Sequence, residues 1–209
     1  MTAGAEAPVA GLILAAGLSS RMPGGPKPLL QFGGRSVIET VVATAVAADL
    51  RPVIVVLGHQ APLIEAHLTP TDAEIMVHAG YEAGILSSVM AGVRSLHERG
   101  AEAAAVLLGD EPGVRRSDIR AVVSSWRSTR GLVRARYMDR PGHPVVFETA
   151  LVADRLRETG SRRVWEALAA VCQPVLEVEL EIPAPIDIDD PDEYSRALAR
   201  LQTERGGAC

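Results

Sequence analysis

Apolar residues fall along this chain in short dense runs that alternate with stretches of helical periodicity. Residues 9–15 form a nearly continuous apolar run ending in Ala16-Gly17, the pattern of a parallel strand buried on both faces and feeding a loop. The stretch 17–27, rich in glycine and proline, reads as neither helix nor strand. Ser36 then stands where a helix cap belongs, ahead of Val37, Ile38, Val41, Val42 and Ala45 on one broad helical face. The rhythm continues with a strand at 53–57, a helix at 61–67, a short strand at 74–77 and a helix at 85–96. A third strong buried strand at 103–108 ends in Gly109-Asp110-Glu111-Pro112 and precedes a helix near 118–126. Strands alternating with helices imply right-handed crossovers, a mostly parallel sheet and a three-layer α/β/α, Rossmann-like fold.

Beyond Gly131 the pattern is less regular: strands at 132–136, 144–147 and 175–180, helices at 151–157 and 164–170, and a last helix from Pro191 to about Leu201. Such a half predicts an antiparallel edge covering the substrate end of the sheet. The length of 209 residues suits one substantial core, so one domain is expected over 1–209. The first few residues and 204–209 read as disordered.

Composition narrows the classes. Cys172 and Cys209 are too few and too far apart for a disulfide framework or a multi-cysteine zinc site, which suits a reducing cytoplasm. No apolar run approaches the roughly 20 residues that span a bilayer, and the N-terminus lacks a basic signal-peptide region, so a cytoplasmic protein without a membrane partner is expected. The net charge of −5, with few aromatics, argues against a nucleic-acid polymer as partner, and the local pair Arg115-Arg116 does not change that.

Ligands of open α/β sheets collect at the carboxyl ends of the strands, and three places there carry chemistry. From Leu14 through Ala15, Ala16 and Gly17 to Lys27, small residues allow close backbone approach and leave amides for phosphate oxygens, with Arg21 and Lys27 as countercharge. The spacing fits neither the P-loop nor the dinucleotide fingerprint. At the second place Asp110 is a candidate Mg²⁺ ligand, although an acidic turn before a helix explains Gly109-Asp110-Glu111-Pro112 equally well. The third is Asp187-Ile188-Asp189-Asp190-Pro191, where capping accounts for Asp190, Asp192 and Glu193 but leaves Asp187 and Asp189 as candidates for a second ligand on one side of an extended segment. Ser87 and Ser88, at a helix start, suit either a cap or contact with a base or sugar. His143, in Pro141-Gly142-His143-Pro144 ahead of a strand, is a candidate contact for an anionic substrate. His59, His67, His78 and His97 lack metal-ligand spacing.

Leu14-Ala15-Ala16-Gly17-x-Ser19-x-Arg21-Met22 with Lys27 resembles the signature loop of MobA-like nucleotidyltransferases. Gly109-Asp110-Glu111-Pro112 resembles their metal-binding strand end, and Gly142-His143-Pro144 with Asp187-Ile188-Asp189-x-Pro191 resembles the branch that makes molybdopterin cytosine dinucleotide. Two departures stand out: Pro23 follows Met22 where the family commonly has glycine, and Glu111 replaces a common glutamine.

The resemblance implies a nucleotidyltransferase (nucleotide-diphospho-sugar transferase-like) fold and transfer of CMP from CTP to the terminal phosphate of molybdenum-bound molybdopterin. Leu14, Ala15, Ala16, Gly17, Arg21 and Lys27 would then bind the nucleotide phosphates, with Ser87 and Ser88 near the nucleoside. Asp110 and Asp189 would hold Mg²⁺, or Mn²⁺ in its place; Arg21, Lys27 and Asp110 would carry catalysis; Gly142, His143 and Pro144 would face the acceptor. A molybdoenzyme or its maturation factors are the implied protein partners. Two other readings stay open: a transferase of the same fold using GTP or a sugar or alcohol phosphate, and a catalytically idle nucleotide-binding accessory protein.

Overall fold

The computed structural model of the chain describes residues 8–18, 21–22, 25–68, 73–156 and 163–206. Ser19, Pro23, Cys209 and Arg157, the last residue of the helix expected at 151–157, lie outside the described residues. Seven strands form one sheet in the order β5-β4-β1-β6-β8-β7-β9. They are β1 (Val9–Ala15), β4 (Val53–Leu57), β5 (Ala73–Val77), β6 (Ala103–Leu108), β7 (Leu132–Tyr137), β8 (Pro141–Glu148) and β9 (Val175–Leu180). A two-residue hairpin, β2 (Gln31–Phe32) and β3 (Arg35–Ser36), stands apart. The helices are α1 (Val37–Ala47), α2 (Ala61–His67), α3 (Ile85–Glu98), α4 (Arg116–Thr129), α5 (Thr149–Arg155), α6 (Val164–Val171) and α7 (Pro191–Gly206).

The period-two geometry of a strand divides each apolar run between two cores. In β1, Val9, Ile13 and Ala15 face one core, which α1, α2 and α4 cover with Ile38, Val41, Ile64, Val122 and Trp126. Ala10, Leu12 and Leu14 face the other, covered by Val89, Val93 and Leu96 of α3 and by parts of α5 and α6. The expected face of α1 is the buried one, and Ser36 closes its first turn as a capping box with Glu39. A third, small core joins Phe32 of the hairpin, Val37, Ile188 and Ala197 of α7.

The three-layer α/β class and mostly parallel sheet hold, with one relocation. The antiparallel strand expected at an edge is β8, and it lies inside the sheet between β6 and β7, reversed against both. β9 returns parallel to β7 and takes the edge instead. β8 also begins at Pro141, so Gly142 and His143 lie within the strand rather than in a turn ahead of it. Gly142 pairs with Ala135 beside a register shift at Arg134/Ala135, a place where a ladder tolerates proline, which has no N–H to give. The end of α7 is likewise ordered: Glu204, expected in a disordered tail, is helical and pairs with Arg115 at 2.6 Å.

Candidate active site at the carboxyl ends of β1 and β6

The tips of the central strands approach closely because glycines follow them. A Cβ on Gly109, just past β6, would stand 2.8 Å from the Ala15 Cβ and 3.1 Å from the Leu14 carbonyl oxygen, to which the Gly109 amide donates at 2.8 Å. A Cβ on Gly58, past β4, would meet the Tyr81 side chain at 2.6 Å and Ala16 at 2.9 Å. The end of β1 and Ala16 after it are thus packed against their neighbours at distances that side chains on Gly109 and Gly58 would forbid.

Asp110 follows Gly109, and its carbonyl accepts the Ile188 amide at 3.0 Å. That bond, with Ile188 fully buried in the small third core, lays residues 187–189 against the end of β6. The Tyr194 hydroxyl donates to the Gln31 carbonyl at 2.6 Å and ties α7 to the hairpin, whose preceding turn (Lys27–Leu29) carries Lys27. Three distant stretches therefore converge. The Lys27 ammonium donates to Asp110 Oδ2 at 2.6 Å and Asp189 Oδ1 at 2.8 Å, and Arg21 donates to Asp189 Oδ2 at 2.7 Å. Burial alone would push the Lys27 pKa down, but Asp110 and Asp189 outweigh it and raise the value, so the amine is charged. The Lys27 hydrogen bond holds Asp189 below the usual carboxylate range against its partial burial, helped by the charges of Lys27 and Arg21.

Asp187 meets different groups. Arg140 Nη2 lies 3.2 Å from its carboxylate, and burial followed by the adjoining Glu111 carboxylate pushes its pKa up to about 7, with Arg140 opposing. Glu111 is 1% exposed and faces His143, whose Nδ1 lies 3.3 Å from Glu111 Oε2, an ion-pair contact without hydrogen-bond alignment. Burial alone would lower the His143 pKa, yet Glu111, with Asp187 and Asp110 beyond it, raises it. In the same way burial would raise Glu111, and His143 outweighs it to lower the value. The Tyr137 hydroxyl donates to the His143 carbonyl at 2.7 Å and fixes the backbone there.

Beside the Lys27 cluster opens a cavity of about 310 Å³ lined by Leu14, Ala16, Gly17, Ser88 and Asp110 among others. Ser87 does not line it: its hydroxyl donates to the Gly84 and Gly80 carbonyls at 2.7 and 3.1 Å, and His78 Nε2 lies 3.1 Å away. Tyr81 and Glu82 do line it, and sequence reasoning missed both. Their one signal was position, just ahead of the Gly84 helix start. A second cavity, of about 470 Å³, contains Gly142 and His143 in its lining, while Pro144 is buried. Among the described residues no group of three or more His, Cys, Asp or Glu side chains converges to hold a metal, and no helix is long and apolar enough to cross a membrane.

Paired acids and cations gather at a strand end, beside a cavity floored by small residues, on a three-layer α/β fold. The chain belongs to the MobA-like NTP transferase family, whose domain matches residues 11–175. It is 31% identical over 150 residues to nicotine blue oxidoreductase of Paenarthrobacter nicotinovorans, covering 68% of this chain and 72% of that protein. It is 35% identical over 131 residues to bifunctional GlmU of Anaeromyxobacter dehalogenans, covering 60% of this chain but only 26% of that longer protein. Among solved structures it resembles Rv0371c of Mycobacterium tuberculosis, with a TM-score of 0.78 at 27% identity over 93% of this chain and all of that one. A complex of Rv0371c with manganese superposes with a TM-score of 0.73 at 25% identity, covering 92% and 98%.

Proposed function

We propose that the protein transfers CMP from CTP to the terminal phosphate of molybdenum-bound molybdopterin. An acceptor phosphate oxygen attacks the α-phosphorus, the bond from that phosphorus to the β-phosphate bridging oxygen breaks, and pyrophosphate leaves. The observation that carries the reading is the convergence of Lys27, Asp110 and Asp189 within 3 Å of one ammonium, at the mouth of a nucleotide-sized cavity. The cytosine and molybdopterin assignments rest on the sequence resemblance of the Gly142-His143-Pro144 and Asp187-Ile188-Asp189 motifs.

Two carboxylates that reach a common point are a hard-oxygen donor set of the size Mg²⁺ takes when water and substrate phosphates complete its shell. Asp110 and Asp189 would hold it, Asp189 rather than Asp187 because the latter is turned to Arg140 and Glu111. The manganese complex of Rv0371c supports a divalent ion in this family. When bound, the ion neutralises phosphate charge and orients the leaving group. Lys27 and Arg21 add countercharge on the triphosphate, and the amides after β1 approach its oxygens. An acceptor phosphate, with its second pKa near about 6, is largely ionised at neutral pH, so no strong general base is required of this chain.

The test is pyrophosphate release with each of the four common nucleotides in the presence of Mg²⁺ and molybdenum cofactor. CTP is expected to turn over, and Asp110→Ala to lower the rate by at least about a hundredfold without loss of the cooperative melt. Turnover with GTP alone would move the assignment to guanylyl transfer. No turnover with any nucleotide would favour a binding module.

A further inference from the structure

We propose that the groove between the β2–β3 hairpin, α1 and the start of α4 binds a small phosphate monoester that carries an apolar group about the size of one ring. The site stands apart from the transfer reaction: its lining shares no residue with either cavity at the strand ends. It binds its ligand whether or not the transfer reading holds.

The groove encloses about 650 Å³, ample for a small ligand. Arg35 of the hairpin, with Arg115 and Arg116 at the start of α4, lines it, and among the described residues no carboxylate does. Arg115 is already engaged, donating to Glu204 at 2.6 Å. Arg35 and Arg116 are exposed, and among the described residues neither pairs with an acid. Arg120, one turn further along α4, is by contrast answered by Asp49. The chain as a whole carries a net charge of −5, so this local excess of cations is not a general property of its surface. Two unanswered guanidinium groups in one concave site call for a dianion, and the planar fork of arginine matches phosphate oxygens in pairs.

The apolar half of the ligand follows from a slot joined to the groove. The slot, of about 130 Å³, shares Phe32, Pro112, Val114, Arg115 and Leu201 with the groove and runs on to Ile186. An apolar cavity of about 150 Å³ takes up benzene, so a slot of this size has room for one ring. Glu204 also lines it, but Arg115 at 2.6 Å and Arg200 at 3.5 Å balance that charge. A ring in the slot with its phosphate at Arg35 and Arg116 fills both parts. Inorganic phosphate fills only the polar one.

The experiment titrates the isotope-labelled protein, without nucleotide or metal, with phenyl phosphate, inorganic phosphate and benzoate in turn, and follows the backbone amide resonances by NMR. Phenyl phosphate is expected to shift the amides of residues 33–35 and 113–116. It is expected to bind at least about tenfold more tightly than inorganic phosphate, which lacks the ring, and at least about threefold more tightly than benzoate, which carries a single charge. Arg35→Gln combined with Arg116→Gln is expected to weaken phenyl phosphate binding by about tenfold or more. Both side chains are exposed, and a thermal melt establishes that the double variant is folded. Lys27→Ala, which removes a cation from the transfer site, is expected to leave the affinity within about threefold, because Lys27 lines neither the groove nor the slot. No binding of phenyl phosphate, shifts confined to residues 14–17 and 109–110, or wild-type affinity in the folded double variant overturns the inference. Equal affinity for inorganic phosphate or for benzoate overturns the assignment to a phosphate monoester with an apolar group. Loss of pyrophosphate release from every nucleotide, with phenyl phosphate still bound at the groove, would overturn the transfer reading alone.

Discussion

Glu111 occupies a place where the resembled family commonly has glutamine, and its negative charge raises the pKa of half-buried His143 against the desolvation that would lower it. Glu111→Gln is expected to drop the His143 pKa below its ordinary 6.5, read from the ring resonances in an NMR titration. Linkage gives the companion effect on stability. The raised His143 value contributes stability that is fully present below 6.5 and is lost as pH rises through the folded value. The lowered Glu111 value contributes stability present above 4.5 and lost as pH falls through its folded value. The melting difference between wild type and Glu111→Gln should therefore be widest between about pH 4.5 and 6.5 and shrink on either side; a flat difference would mean the pair is not ionised. Sequence made Lys27 and Asp110 legible because their motifs are local. It grouped Asp187 with Asp189 by alternation, but their fates diverge, since Glu111 and Arg140 take the first and Lys27 and Arg21 the second.

At the scale of elements, β4, β6, β9 and α2 begin and end at the residues the pattern marks, because β4 and β6 are short apolar runs, β9 alternates apolar residues with Glu177 and Glu179, and α2 carries Pro62 in its first turn. The hairpin β2–β3 was invisible: two residues per strand carry no period. Yet it matters, since Phe32 and Ile188 pack together and so set Asp189 beside the Lys27 turn. Ile188→Ala is expected to cost about 2–5 kcal/mol in urea unfolding, as deletion of a fully buried isoleucine does, and to slow transfer through a displaced Asp189. Wild-type activity in a measurably destabilised Ile188→Ala protein would detach this small core from the site.

For the whole molecule, the alternation of strands and helices announced the class of fold, whereas the sheet order did not follow from it. Placing β8 inside required knowing that β7 pairs with β9 on its far side, a long-range choice. Because α1, α2 and α4 cover one face and α3, α5 and α6 the other, a ligand at the strand ends would touch loops rooted in both cores. Binding there should stabilise the entire fold. Mg²⁺ with CTP at about a hundred times its Kd is expected to add about 2.7 kcal/mol, which for a chain of this size raises Tm by about 5–10 °C. Chelation with EDTA should reduce that rise, and Lys27→Ala should nearly abolish it; an undiminished rise in Lys27→Ala would place the phosphates elsewhere.

The span of 162 residues between Lys27 and Asp189 also sets a clock. At about 5–20 residues per second, the ribosome releases Asp189 roughly 8–30 s after Lys27. Until then the ammonium has one of its two acids at most, and the hairpin lacks Ile188 to pack on. A nascent chain, or a fragment cut before residue 188, therefore lacks the paired-acid arrangement described above. The cluster is completed late in synthesis, so premature termination leaves Lys27 without Asp189.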